Sequence, residues 1–265
     1  MKGVAALAGL LLALHASGQE APVQAPFITT PPEVVARMLA MARTGPEDFV
    51  IDLGSGDGRI VIHAAQAHGA RGLGVDLDAA LVARARVSAA RAGVADRVRF
   101  DVRDALRTDL SAASVVTIYL LPFLLDLLEP RLLEGLGPGA RIVTHAFPLK
   151  SWPYDRAETV RLSKSHAGQG DSSRIFLYIV PAQARGAWRA PGGWQMRVQQ
   201  NFQSIEVEAL RDARPLMVTS AHLRGEEIEF SGDGFAFQGR VARDRITGEM
   251  QEGGARVPLA FDRAP

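Results

Sequence analysis

The chain has 265 residues, 47% of them hydrophobic, which is enough to bury a large core in one or two domains. A formal net charge of +1 gives no basis for a nucleic-acid footprint. The absence of cysteine removes disulfide staples, a thiolate nucleophile and any thiolate-ligated metal, without arguing against export.

Residues 1–18 have the form of a signal peptide. Met1-Lys2 is a short positive start, residues 4–16 are apolar apart from Gly9 and His15, and Ala16-Ser17-Gly18 offers small residues for cleavage before Gln19. An uncleaved anchor is the alternative, but this apolar stretch is short of the roughly 20 residues of a bilayer span. The expectation is an exported, periplasmic or envelope-associated protein, with a membrane-tethered form as the variant. Pro31-Pro32 then suits the first turn of a helix over residues 33–42, where amides lack partners. The preceding Phe27-Ile28-Thr29-Thr30 is an entry strand or loop placed to cross the site, and Thr30 is placed to cap the helix.

Residues 49–53, FVIDL, have the bulk and β-branching of a buried parallel strand and end abruptly in Gly54-Ser55-Gly56-Asp57-Gly58. Three glycines in five residues let the backbone turn tightly and approach a ligand, and a helix from Arg59 would point its first amides at that ligand. A second strand over residues 71–75 ends at Asp76, where a carboxylate accepts hydrogen bonds from ribose hydroxyls. A dinucleotide fingerprint needs a third glycine where this chain has Arg59, a large cation at a close helix–strand contact. Asp52 and Asp57 instead give the loop an acidic lining, suited to a cationic or zwitterionic cofactor and unsuited to a diphosphate. The pattern favours S-adenosylmethionine over NAD.

Residues 79–92 place Leu81, Ala85, Ala89 and Ala92 on one helical face, and Gly93 ends that helix. A third strand at 98–100 precedes Asp101, Asp104 and Asp109. The nearby arginines at 84, 86, 91, 97, 99 and 103 are read as a solvated face. A fourth strand over 114–119 delivers Tyr119-Leu120-Leu121-Pro122 to the carboxyl edge of the sheet, where an open doubly wound sheet holds its ligand, and Pro122 is expected to shape the loop there. A fifth strand over 140–147 follows the Gly137-Pro138-Gly139 turn and brings Thr144 and His145 to the same edge. There His145 is expected to line an acceptor channel or relay a proton. The run 152–155, WPYD, is a lid over the acceptor or simple packing, and residues 157–163 and 174–181 are the last two strands of this sheet.

After Pro181, residues 182–193 read as a linker. Residues 194–265 alternate apolar and polar in short pieces broken by glycines, which predicts a small antiparallel meander or partial barrel of about six to eight strands.

The stretches VIDLGSGDGRIVIHAA, GLGVDLDAALVARARVSAARAGVADRVRF and DVRDALRTDL resemble class I, seven-strand S-adenosylmethionine-dependent methyltransferases. ITTPPEVVARMLAMA and VVTIYLLPFLLDLLEPRLLEGLGPGARIVTHAF are similar, more narrowly, to small protein-lysine methyltransferases that include mitochondrial enzymes acting on carrier and ATP-synthase subunits. The resemblance covers about residues 27–181 and implies an α/β fold, a doubly wound, mostly parallel seven-strand sheet. It implies S-adenosylmethionine contacts at the loop Gly54, Ser55, Gly56, Asp57 and Gly58 with Asp52, at Asp76 and Leu77, at Thr30 and Pro31, and at Tyr119. It also implies an adenine contact at Asp104 with the backbone of Ala105; Asp101 and Asp109 are surface or capping residues. Many amine-methylating enzymes carry Asn or Asp before a Pro-Pro-aromatic motif at the end of strand four, and this chain has neither. The YLLP form matches the lysine-methylating family, which implies an acceptor site at Tyr119 with Pro122 beside it. A structural tyrosine is the other reading.

Methyl transfer is an in-line displacement at a sulfonium carbon, so alignment, water exclusion and a deprotonated amine are the needs; neither a metal nor a general-base histidine is obligatory. An aromatic ring with backbone carbonyls would hold an alkylammonium before it loses its proton. The C-terminal region resembles an extension found on exported relatives. Three readings follow: a protein-lysine methyltransferase acting on a membrane or envelope protein, a small-molecule methyltransferase with a closed acceptor cavity, and a noncatalytic binding module with that space obstructed. No nucleic-acid partner is expected, and a monomer is favoured.

Overall fold

The computed structural model describes residues 27–166 and 170–264; the expected signal segment, residues 1–18, lies outside the described residues. The chain opens with α1 (Pro32–Met41), then alternates β1 (Phe49–Leu53), α2 (Arg59–His68), β2 (Arg71–Asp76), α3 (Ala79–Arg91) and β3 (Val98–Val102). A single 3-10 turn, Ala105–Arg107, leads to β4 (Val115–Ile118), α4 (Pro122–Gly135), β5 (Arg141–His145), β6 (Arg156–His166) and β7 (Gly170–Ile179). These seven strands form one sheet in the order β3-β2-β1-β4-β5-β7-β6, parallel except for β7, which runs antiparallel to both neighbours.

Consecutive residues of a strand face opposite sides of a sheet, and here both sides are covered. Val50, Val115, Val143 and Leu177 pack with α1 and α2, while their neighbours Ile51, Val116, Ile142 and Phe176 pack with α4. That two-sided burial explains the unbroken apolar runs in these strands. The order reverses between β1 and β4, which opens a crevice at their carboxyl ends.

The remaining strands, β8 (Gly186–Ala190), β9 (Trp194–Asn201), β10 (Ser204–Arg211), β11 (Arg214–Leu216), β12 (Val218–Arg224), β13 (Glu227–Gly232), β14 (Phe235–Ala242), β15 (Arg245–Glu252) and β16 (Ala255–Arg263), make a nine-stranded antiparallel sheet. It curls until β12 meets β10, giving a nearly closed barrel. Its interior is aromatic: the Phe230 and Phe237 rings stack at 5.1 Å, and Phe237 meets Phe261 edge-on at 5.3 Å. Clean period-two burial in β9, with every second residue buried, is the physical form of the alternation read from the sequence.

Two expectations are corrected here, and one open alternative is resolved. Residues 182–193 are not a free linker: they contain β8, and their backbone is tied down by side chains of the barrel. Buried Gln200 accepts from the amides of Ala184 and Arg185 and donates to the carbonyl of Ala182, while Arg263 donates to the carbonyls of Arg185 and Gln183 with its guanidinium 4.2 Å from the Trp188 ring. Pro122 does not shape a loop but begins α4, where its missing amide costs nothing. Finally, the 152–155 segment is packing and not a lid: Trp152 is 1% exposed, stacks on Phe202 at 5.5 Å and donates to Gln203, joining the two sheets.

Small residues set the spacing beside the crevice. A Cβ on Gly74 of β2 would lie 2.5 Å from the Phe100 ring and 2.7 Å from the Ser55 hydroxyl, although its backbone is unstrained. Gly74→Ala is therefore expected to destabilise the protein by roughly 1–3 kcal/mol through overpacking, read as a lower urea midpoint. An unchanged midpoint would show that Phe100 moves freely.

Candidate functional site

At the carboxyl ends of β1 and β4 lies a cavity of about 510 Å³, within the about 300–1,000 Å³ usual for small-molecule sites. Its floor is the loop after β1. Gly54, Gly56 and Gly58 adopt φ of +79°, +53° and +81°, which only glycine takes without strain. The amides of Gly54 and Ser55 donate to the carbonyl of Val75 at 2.9 and 2.8 Å, fastening the loop to the end of β2.

Asp76 stands at that end with its carboxylate aimed by two amides. Gly56 donates to Oδ2 at 2.8 Å and Asp78 donates to Oδ1 at 2.9 Å. The carboxylate lines the cavity beside Leu77, ready to accept two hydroxyl groups on its remaining lone pairs. Asp52 is 2% exposed and accepts from the Thr117 hydroxyl at 2.7 Å. Burial pushes its carboxyl up to about 7, so it is poised to lose its proton when a cation arrives. Asp57 behaves differently: partial burial pushes its carboxyl up, but the hydrogen bonds and charge of Arg59 outweigh that and hold it below the usual range. Arg59 grips both carboxylate oxygens, Nε to Oδ1 at 2.9 Å and Nη2 to Oδ2 at 2.6 Å.

The far wall carries Asp104, Ala105 and Leu106. Asp104 also caps the short turn that follows it, accepting from the Leu106 amide at 2.8 Å. Asp101 pairs with Arg99 and Arg103, and Asp109 accepts from the Ser111 amide, so both serve the surface as expected. Across the cavity stand Tyr119 and Leu120, the residues that follow β4. Thr30 closes one side, and its segment crosses the loop: a Cβ on Gly56 would strike the Phe27 ring at 2.5 Å.

Four expected site residues are not on the cavity wall. Pro31 is buried as the cap of α1, which has no side-chain cap, so Thr30 does not serve as that cap. Gly58 lies under the loop, where a Cβ would meet Phe100 at 2.6 Å and Ala85 at 2.8 Å; it lets α2 pack close, the role that a dinucleotide fold gives to its third glycine. Pro122 is the first residue of α4. His145 neither lines the cavity nor reaches solvent: it is fully buried behind Tyr119, with the ring centroids 4.0 Å apart.

Other wall residues were not anticipated. Arg59 lines the cavity, whereas in the sequence it only argued against a dinucleotide. Phe123 and Leu127 are one turn apart on α4, line the cavity and are still 42% and 53% exposed; the exposed Phe27 and Ile28 line the same cavity. The i, i+4 spacing in FLLDLLEPRLLEG was the available signal. On α3 it is Val82, not Leu81, that joins Ala85 and Ala89 in the core; Leu81 turns to the cavity.

S-adenosylmethionine fits this set. Its ribose hydroxyls match the amide-oriented Asp76, and its cationic end matches the buried acid Asp52. The Ser55 hydroxyl, buried on the wall and without a hydrogen-bond partner among the described residues, is free to serve it. A noncatalytic module would fill the space before Tyr119 with side chains, and that space is open.

Comparison with known proteins agrees. Residues 52–156 match the family described as the ANTKMT methyltransferase domain. A protein-lysine N-methyltransferase of Saccharolobus islandicus is 32% identical over 156 residues, which cover 58% of this chain and 93% of that protein. The adenine nucleotide translocase lysine N-methyltransferase of Mus musculus is 38% identical over 130 residues, covering 49% of this chain; the chain spans only 56% of its length. A crystal structure described as an RNA methyltransferase from Salinibacter ruber in complex with S-adenosyl-L-homocysteine is 45% identical, with a TM-score of 0.53, covering 59% of this chain and 95% of that one. With this sheet order, this cofactor cavity and these relatives, the chain belongs to the class I S-adenosylmethionine-dependent methyltransferases of the protein-lysine N-methyltransferase family.

Proposed function

We propose that the protein methylates the side-chain amine of lysine in a protein substrate. The carrying observation is the shape of the cavity, which runs from the cofactor loop to Tyr119 and opens beside it between exposed apolar side chains. A lysine side chain is a thin apolar stem ending in a cation, and this mouth suits both parts. Bound S-adenosylmethionine supplies an electrophilic methyl group. An acceptor nitrogen would need a free lone pair to receive that methyl group, so it must first shed its proton to solvent at the cavity mouth.

The chain's own residues first capture the charged amine and then favour its loss of a proton. The Tyr119 ring attracts an incoming alkylammonium by its π face. Leu120, Phe123 and Leu124 then surround the amine with apolar atoms, which lowers its pKa and keeps water out. Tyr119→Ala is expected to lower turnover about 10- to 30-fold, while S-adenosylhomocysteine affinity stays within about threefold, since a cation–π contact is worth about 2 kcal/mol when desolvated. Tyr119→Phe keeps most of the activity unless the hydroxyl takes part. Undiminished turnover in Tyr119→Ala would sink this assignment.

Taken with residues 1–18 as an export signal, the reading points to an acceptor among envelope or membrane proteins. The test is incubation of the purified protein and methyl-labelled S-adenosylmethionine with an envelope fraction, followed by mass spectrometry for methyl-lysine. Label confined to RNA would favour the chemistry ascribed to the Salinibacter relative, and label in small metabolites would favour a small-molecule acceptor.

A further inference from the structure

The residues behind Tyr119 form a continuous chain of contacts that begins in the half-buried cofactor loop and ends in the core. Asp57 holds the Arg59 guanidinium with two hydrogen bonds, at 2.9 and 2.6 Å. The remaining arm of Arg59, Nη1, donates to the carbonyl of Thr30 at 3.0 Å. The Thr30 hydroxyl lies 3.3 Å from His145 Nδ1, and the His145 ring lies against Tyr119 with centroids 4.0 Å apart. His145 Nε2 meets the Ser173 hydroxyl at 2.6 Å, so both ring nitrogens are engaged and the imidazole cannot turn without losing a buried bond. Thr30 and Ser173 are each 4% exposed and His145 is fully buried, so water does not substitute for the partners of the imidazole.

The backbone after His145 is held in an uncommon conformation as well. Ala146 has φ of +67°, the Phe147 amide donates back to the His145 carbonyl at 2.9 Å, and the Thr144 hydroxyl donates to the Phe147 carbonyl at 2.7 Å. A non-glycine residue at positive φ is strained, and such strain persists where surrounding contacts over-determine it. Here those contacts hold His145 in place at the end of β5.

We infer that Arg59, Thr30 and His145 are positioning residues that set the Tyr119 ring in register with the cofactor loop. None of the three needs to touch the acceptor. The chain makes the placement of the acceptor-side aromatic depend on the loop that holds the cofactor. A displacement of about 1 Å at a reacting centre costs about 100-fold in rate, so this registration has a measurable consequence. The inference rests on the reading of Tyr119 as the acceptor-side residue, and its test includes a readout that does not require methyl transfer.

Thr30→Val removes the hydroxyl that meets His145 and keeps both the side-chain shape and the carbonyl that accepts from Arg59. It is expected to lower kcat about 10- to 100-fold while leaving S-adenosylhomocysteine affinity within about twofold, and Thr30→Ser is expected to restore kcat. With fluorinated tyrosine incorporated, the Tyr119 resonance, assigned by its loss in Tyr119→Phe, should shift when S-adenosylhomocysteine binds. In Thr30→Val and in Arg59→Lys that shift should shrink or broaden. If Thr30→Val does not fold, Arg59→Lys carries the same comparison.

An unaltered Tyr119 resonance and kcat in these variants would overturn the inference. So would a loss of S-adenosylhomocysteine affinity as large as the loss of kcat, because Thr30 would then be a cofactor contact and nothing more. If the resonance responds as expected but no lysine is methylated, the positioning chain stands and the acceptor assignment fails.

Discussion

Asp76→Ala is expected to weaken S-adenosylmethionine binding by at least about 100-fold, measured by calorimetric titration. Two effects add. The ribose loses a charged acceptor for its hydroxyls, and hydrogen bonds to a charged group are worth about 1.5–3 kcal/mol each. The Gly56 and Asp78 amides also lose the carboxylate that aims them, so the loop itself loosens. Asp76→Asn is expected to fall between, since its amide accepts on one side only. Affinity unchanged in Asp76→Ala would place the ribose elsewhere, and in parallel titrations NAD should give no binding heat.

The second large effect is a pH dependence that originates in Asp52. Its carboxyl is pushed from an ordinary value of 3.8 up to about 7 by burial, offset in part by the Thr117 hydrogen bond and aided by the nearby charges of Asp76 and Asp57. The native state therefore keeps a proton between about pH 4 and pH 7 that the unfolded chain has already released. The Asp52 contribution is present in full below the unfolded value and is lost as pH rises through about 7, a decline of roughly 4 kcal/mol across that window. Asp52→Asn, which cannot ionise, should flatten this slope and be the more stable form at pH 8 in denaturant melts.

Cofactor binding runs the opposite way. A cationic ligand beside Asp52 favours the ionised carboxylate, so S-adenosylmethionine should bind more tightly as pH rises through about 7. Below that pH, binding should release a proton. Calorimetry in buffers of different ionisation enthalpy measures that release directly. A wild-type release matched by an equal one in Asp52→Asn would assign the proton to another group.

Much of the cofactor half was legible because its signals are local. A β-branched run ending in three glycines and an acid at the next strand end each depend on a few neighbouring residues, and the structure puts both at the crevice. The period-two pattern of the last third was equally local, and so an antiparallel sheet was expected where one occurs. Helix α4 was harder to read: its exposed Phe123 and Leu127 and internal Pro130 blur the usual amphipathic pattern, because one of its faces lines a cavity and is not part of the core.

The acceptor side was the least legible. Thr30 and His145 are 115 residues apart in sequence, and nothing local announces their contact. Histidine at a strand end reads as a channel residue until the neighbours that bury it are known. Trp152 looked equally suited to a lid or to packing, and Tyr178 of β7 with Phe202 and Gln203 from the barrel decide for packing.

By itself, then, the sequence determined the fold class, the cofactor loop and its acidic partners, because glycine spacing, strand bulk and carboxylate placement act over a few residues. Tertiary structure alone decided that Gly58 packs helices, that Arg59 reaches the entry segment, and that His145 stands behind Tyr119 instead of facing the acceptor. Those outcomes depend on contacts between distant strands and helices, where burial and the pairing of polar groups are settled only once the sheet has closed.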